Sequence, residues 1–380
     1  MTALPRFVAL YAAIYGAYGV ASPFLPAFVR ERGLSPEEIG LALAAGTCVR
    51  LVSAPLAGRI ADLVQSLRVM LVVSIGVAAL VTLGYLPARG FWMVVAVMML
   101  HAWALAPMTV LADALAIGTR GFEYGRVRGT GSAAFILGTL VAGQAIGGFG
   151  LDVIVPLQAL LLGVAALAAV RVPEIEHRPR PRLESSAGTS PRALFRALFG
   201  IPRYRNLVLL AALVLGSHAM HDAFAVIRWS AAGISAETSS LLWSEAVAAE
   251  VLVFWFIGPA LVKRLTPAGA MALAAGAGIL RWAVMAQTAD VAAVALVQPL
   301  HGLTFALFHL ACMRVLARTV PPGFEGTAQA LYATVAVGAS AALLTLASGS
   351  LYGTLGPRAF WFMAALCAAA LPLTLKLRGA

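Results

Sequence analysis

With 380 residues, 61% of them hydrophobic and only 11% charged, the chain has too little charge to clothe a soluble surface, which excludes an ordinary water-soluble globular protein. The formal net charge of +11 does not point to nucleic acid, because most Lys and Arg residues gather between apolar runs on one side of a membrane. Cys48, Cys312 and Cys367 are scattered through apolar runs, which excludes a disulfide framework and a cysteine metal centre.

A membrane-spanning helix needs about 20 mostly apolar residues. Twelve such segments begin near residues 7, 38, 69, 91, 130, 152, 206, 239, 268, 290, 326 and 355. Their unbroken apolar character makes them helices rather than alternating barrel strands. The first, although Val20-Ala21-Ser22 resembles a cleavage site, lacks a strongly basic start and reads as a retained span. Between the sixth and seventh spans, residues 172–205 are rich in Pro and Arg, the composition of a solvated linker, with a short interfacial helix over about 191–199. The predicted organisation is a six-helix bundle over 1–171, a cytoplasmic linker over 172–205 and a second six-helix bundle over 206–380. Lys and Arg are enriched in the loops on the side of the linker, so both termini are expected in the cytoplasm and the protein in the cell inner membrane. Gly138, Gly143, Gly147 and Gly148 read as points of close helix packing.

The two halves match without a gap. Gly33-Leu34-Ser35 recurs as Gly233-Ile234-Ser235, Glu37 as Glu237 and Gly58 as Gly258. Both halves enter from the same side, so the repeat is parallel. Arg50 and Glu250 thereby occupy corresponding places inside apolar spans. Charges there cost about 2.5–3.5 kcal/mol on insertion scales and face a cavity or a partner.

Gly58-Arg59-Ile60-Ala61-Asp62, followed by Arg68, resembles the loop signature between helices 2 and 3 of the major facilitator superfamily. Leu63 and Gln65 stand where that signature has a basic residue and a glycine. Pro23-Phe24-Leu25-Pro26, Tyr124-Gly125-Arg126-Val127-Arg128, Ala249-Glu250-Val251, Leu280-Arg281-Trp282, His301-Gly302-Leu303-Thr304-Phe305 and Gln329-Ala330-Leu331-Tyr332 resemble the phenylpropionate-permease branch, related to the lactose permease type of proton symporter. The resemblance spans essentially the whole chain. It implies an all-α integral membrane protein of twelve helices in two six-helix bundles, transporting by alternating access.

At 1.5 Å per residue, Arg50, Glu250, Arg281, His301, His218 and His101 all fall roughly 15–21 Å into their spans, near the bilayer midplane. Glu250 is the expected proton carrier, since a carboxyl at low dielectric is suited to binding and releasing protons. The resemblance implies coupling roles for Glu250, Arg281, His301 and, as the helix 7 acid, Asp222. It departs from the family at one point: residues 301–315 contain no Asp or Glu beside His301. A static Glu250–Arg281 pair is the rival reading. Glu245, five residues before Glu250, is a second coupling candidate on another face of the helix.

Two readings of Arg50 stand open, an anchor for an anionic substrate or a neutraliser of Glu245 or Glu250. Tyr11, Tyr15 and Tyr18 share one helix face at i, i+4 and i+7. Tyr15, Tyr18, His101, His218, Trp282 and Phe305 are the remaining candidates to line a substrate site. His221 joins His218 at i+3, and Asp222 follows at i+4, a spacing that suits a proton relay or an interhelical hydrogen-bond pair. No third ligand converges there, so no metal is expected. Gly58, Asp62, Arg68, Asp113, Arg126 and Arg128 form the expected cytoplasmic gate.

No phosphate-cradling motif and no nucleophile elbow occurs, so the expected energy source is a proton gradient with no cofactor, and the chain is a transporter and not an enzyme. Its expected partners are a small-molecule substrate, protons and membrane lipid, with no nucleic acid, and the protein is expected to be monomeric. Proton symport of an aromatic carboxylic acid is the favoured function. Symport of a sugar or oligosaccharide, proton-driven drug efflux, and a transporter-fold membrane receptor are the alternatives.

Overall fold

The apolar runs fold as α-helices, and no strand occurs among the described residues of the computed structural model, 3–175 and 191–377. Most of the linker, 176–190, lies outside them. The helices in chain order are α1 (Leu4–Ala21), α2 (Leu25–Glu31), α3 (Pro36–Val64), α4 (Leu67–Leu83), α5 (Gly90–Gly118), α6 (Tyr124–Phe149), α7 (Ile154–Arg171), α8 (Pro191–Gly200) and α9 (Pro202–Gly216). They continue with α10 (Ala219–Ala231), α11 (Ala236–Leu252), α12 (Gly258–Gln287), α13 (Val291–Val297), α14 (Phe308–Thr319), α15 (Glu325–Leu331), α16 (Ser340–Leu355) and α17 (Phe360–Leu375). Wide π turns over Val253–Ile257, Gly302–Leu307 and Tyr332–Ala339 interrupt the second half.

Eight helical stretches are long and apolar enough to cross a membrane. Two of these, Ala236–Gln287 and Glu325–Leu375, run to 52 and 51 residues, the length of two crossings each. The first turns at Thr266 (φ 63°) and the second at Gly356 (φ 56°). With the bent pair α1–α2 and the shorter α4, the described helices accommodate the twelve spans. A short helix, α8, stands where one is expected near 191–199.

The repeat is visible in the backbone. Gly33 and Gly233 both adopt positive φ (95° and 82°), where an L side chain is disfavoured. Their amides close the same turn, Gly33 N–H on the Arg30 carbonyl at 2.9 Å and Gly233 N–H on the Ser230 carbonyl at 3.0 Å. Each turn then delivers a serine to a helix N-cap: Ser35 accepts from Glu38 N–H and Ser235 from Thr238 N–H. Glu38 completes a capping box by accepting from Ser35 N–H at 2.8 Å. Gln65 and Thr266, the two non-glycine residues of positive φ among those described, close the corresponding segments of the two halves.

The contacts divide into two units, Met1–Pro179 with Val226–Ser244, and Arg180–Ala225 with Glu245–Ala380. The segment Val226–Ser244, from α10 into α11, groups with the first unit. In that unit α1 packs against α6 and α7, and α3 and α4 pack against α5. Cβ atoms placed on Gly138, Gly143 and Gly147 would strike Gly16, Ser240 and Glu237, so these three glycines sit at close contacts. Gly148 faces open space, contrary to the packing role expected from sequence. In the second unit α12 packs along α14, α17 and the π turn at Gly302–Leu307.

Candidate functional site

The second unit holds a charge that its helices bury completely. Arg281, on the central helix α12, is 0% exposed. A guanidinium without water needs its donors met, and a carboxylate is the usual partner. Here neutral groups touch it instead. Nη1 donates to His301 Nδ1 at 3.1 Å, while Nη2 donates to Gln298 Oε1 at 3.0 Å and towards His221 Nε2 at 3.4 Å. The ring of the adjacent Trp282 lies 4.5 Å from the guanidinium carbon, adding a cation–π contact.

Those bonds set the proton positions on the imidazoles. Arginine has only donors, so His301 Nδ1 and His221 Nε2 must each present a lone pair. The hydrogen of neutral His301 is then on Nε2, which lies 3.3 Å from Glu250 Oε2. The hydrogen of neutral His221 is on Nδ1, 3.4 Å from Asp222 Oδ1. One buried cation thus reaches two carboxylates through two imidazoles. Both acids stand at the edge of the buried set, Glu250 with 31% and Asp222 with 64% of its side chain exposed. The acid missing from the chain after His301 is supplied from α11 by Glu250.

A glycine makes that approach possible. A Cβ on Gly302 would lie 2.6 Å from the Ala249 carbonyl oxygen, so only glycine lets the two backbones come so near. Ala249 and Gly302 each precede or follow one partner of the Glu250–His301 pair. A static Glu250–Arg281 bridge, the rival reading from sequence, is not the arrangement found: His301 stands between them.

His218 belongs to the same cluster but points elsewhere. Its Nδ1 faces the Val214 and Leu215 carbonyls, leaving Nε2 to accept from Thr304 Oγ1 at 3.0 Å. Phe305 stacks on His301 at 5.5 Å and is 39% exposed. Trp282 is fully buried, its N–H held by Ser217 Oγ at 2.9 Å. Glu245 is half-buried and has no ion pair among the described residues.

In the first unit Arg50 is exposed, and its Nη2 donates to Thr47 Oγ1 at 3.0 Å on the preceding helical turn. No described carboxylate of its unit pairs with it. His101 is buried with Nδ1 at 3.2 Å from the Tyr85 hydroxyl, a partner that sequence reading did not single out. Tyr15 and Tyr18 pack ring to ring at 6.1 Å.

Inside the first unit the expected gate residues meet separate partners where contacts are seen. Tyr11 donates to Asp113, and the Arg128 guanidinium lies 5.0 Å over the Tyr15 ring, so both join the tyrosine stripe. Arg126 pairs with exposed Glu123 at 3.4 Å, and Arg68 with Glu174 at 3.9 Å. Gly58 has open space at its Cβ, and Asp62 is exposed four residues later on α3. His221, Gln298, Thr304 and Ser217 are the site's further polar members; only His221, by its spacing from His218, left a mark in the sequence.

Known proteins share this build. The probable 3-phenylpropionic acid transporter of Escherichia coli (strain K12) is 34% identical over 372 residues, covering 94% of each chain. The uncharacterized transporter YwbF of Bacillus subtilis (strain 168) is 21% identical over 355 residues, covering 90% of this chain and 86% of its own. The crystal structure of the nucleoside transporter NupG superposes with a TM-score of 0.84 at 17% identity, over 100% of both chains. The MFS_1 like family model matches residues 4–363. The chain belongs to that family of major facilitator transporters, as a multi-pass membrane transporter and not an enzyme.

Proposed function

We propose that the protein carries an aromatic carboxylic acid of the phenylpropionate type across the inner membrane by proton symport, with alternating access and with both termini in the cytoplasm. The observation that carries the coupling is His301 lying between Arg281 and Glu250. While Arg281 holds Nδ1, His301 stays neutral and its Nε2–H stabilises Glu250 as a carboxylate. A proton arriving on Glu250 cancels the charge that strengthens its bond from Nε2–H and loosens its hold on the imidazole, so protonation and the arginine's contacts are linked. Asp222 stands on the equivalent arm through His221. With two acids sharing one buried cation, adding a single proton makes the set neutral.

The choice of solute is supported by two facts. The Escherichia coli relative is named for 3-phenylpropionic acid. Arg50 offers an exposed guanidinium on α3, a fork for a carboxylate.

The test is uptake of labelled 3-phenylpropionate into proteoliposomes. The wild type is expected to accumulate it when the lumen is alkaline. The Glu250→Gln protein is expected to exchange solute without accumulating it. Full pH-driven accumulation by Glu250→Gln would falsify the assignment.

A further inference from the structure

We propose a second binding site, separate from the substrate path, which takes a phosphate-type anion and is best suited to the headgroup of an anionic phospholipid. It is a cavity of about 250 Å³ in the second unit, where α12 turns at Thr266 and the last turns of α14 run alongside. Lys263, Arg314 and Arg318 line it together with the Thr266 hydroxyl, and none of its lining residues is acidic among those described. Neither Lys263 nor Arg314 has an ion pair among the described residues.

The two halves of the cavity differ in character. Its three cations are exposed, whereas Val262, Pro267, Ala268 and Leu377 beneath them are buried. A basic rim over an apolar floor suits an amphiphile, with phosphate oxygens on the rim and glycerol carbons below. Guanidinium and ammonium are the side chains that hold phosphate. The site also lies in the right stratum. Lys263 and Thr266 sit at the turn within α12, Arg318 is one residue from the end of α14 and Leu377 lies just past α17, so the cavity opens at helix ends. Lipid headgroups occupy that level.

Basic residues at helix ends also follow from membrane orientation alone. Orientation requires only their number on one side. It does not require three of them to converge on a hollow with no acid in its wall. Arg264, next to Lys263 in sequence and also exposed, is outside the lining and serves as the internal comparison.

Native mass spectrometry of the intact purified transporter in neutral detergent tests the site, with phosphatidylglycerol, phosphatidylcholine and inorganic phosphate as separate probes. Phosphatidylglycerol is expected to bind in preference to phosphatidylcholine. Removing either cation, by Lys263→Gln or Arg314→Gln, is expected to weaken it roughly fivefold, and Arg264→Gln to leave it unchanged. Phosphate bound with the same dependence on Lys263 and Arg314, without phosphatidylglycerol, supports the anion site and names a soluble source. Thermal melting without lipid checks that each variant is folded. Equal weakening by Arg264→Gln and Arg314→Gln, or no preference for phosphatidylglycerol together with no phosphate bound, overturns the proposal.

Discussion

Arg281 Nη1 donates to His301 Nδ1 across 3.1 Å, and this one bond decides which edge of the imidazole faces Glu250. A side chain that cannot both accept from Arg281 and donate to Glu250 breaks the connection. His301→Leu is therefore expected to keep solute exchange within about threefold and to lose accumulation under a pH gradient, a loss of roughly 1.4 kcal/mol per tenfold in the ratio reached. Counterflow and gradient-driven uptake measured on the same vesicles separate the two.

Arg281→Lys preserves the charge and removes the fork. A single ammonium on α12 cannot reproduce the bonds to His301, His221 and Gln298 from one planar group. Each lost bond to a charged donor is worth about 1.5–3 kcal/mol. A lower melting temperature in detergent is expected, with coupling impaired. A variant as stable and as coupled as the wild type counts against the buried network.

Gly302 sets the distance between two helices. Gly302→Val is expected to push the backbone carrying Glu250 away from His301, at a cost of about 1–3 kcal/mol for overpacking. Gly76→Ala, where a Cβ meets open space, is the comparison and is expected to leave uptake intact. Uptake and melting temperature are compared for both.

Gln65 occupies a left-handed position (φ 55°) at the end of α3, where the superfamily signature has glycine. That conformation costs a side chain roughly 1–2 kcal/mol. Gln65→Gly is expected to raise the melting temperature, with an increase in stability no larger than that strain. A fall in stability shows instead that the Gln65 side chain does more than cap the helix.

Arg50 is expected to matter for charge recognition. Arg50→Gln should weaken binding of 3-phenylpropionate at least tenfold, or about 1.4 kcal/mol, and leave the neutral 3-phenylpropionamide unchanged. Titration calorimetry on the purified protein reads both, and equal weakening for the two ligands removes Arg50 from the carboxylate.

Much of the fold was legible because membrane and repeat leave strong local marks. Apolar length gave the spans, and Gly33 with Gly233 announced two equivalent turns through a conformation that glycine adopts freely. The site was legible only in its charges. Glu250, Arg281 and His301 stand out as ionisable groups in apolar runs, but the order in which they touch is set by packing between α11, α12 and the segment after α13. Gln298 is a neutral amide in an apolar stretch and carries no such mark. Trp282 reads equally well as cavity wall or core, and only the fold places its N–H on Ser217. Asp113 and Arg128 lie on different helices, and the tyrosines of α1 reach both, a relation that only packing sets.

Thr266 makes one further demand on the molecule. The helical run from α11, which carries Glu250, continues through the π turn into the start of α12 and meets the part of α12 that carries Arg281 at a single non-helical residue, a threonine in a region of backbone space (φ 63°, ψ 160°) almost reserved for glycine. No slack loop separates them. The acid and the cation therefore sit on two arms of one elbow, and a tilt of either arm is handed to the other as torque.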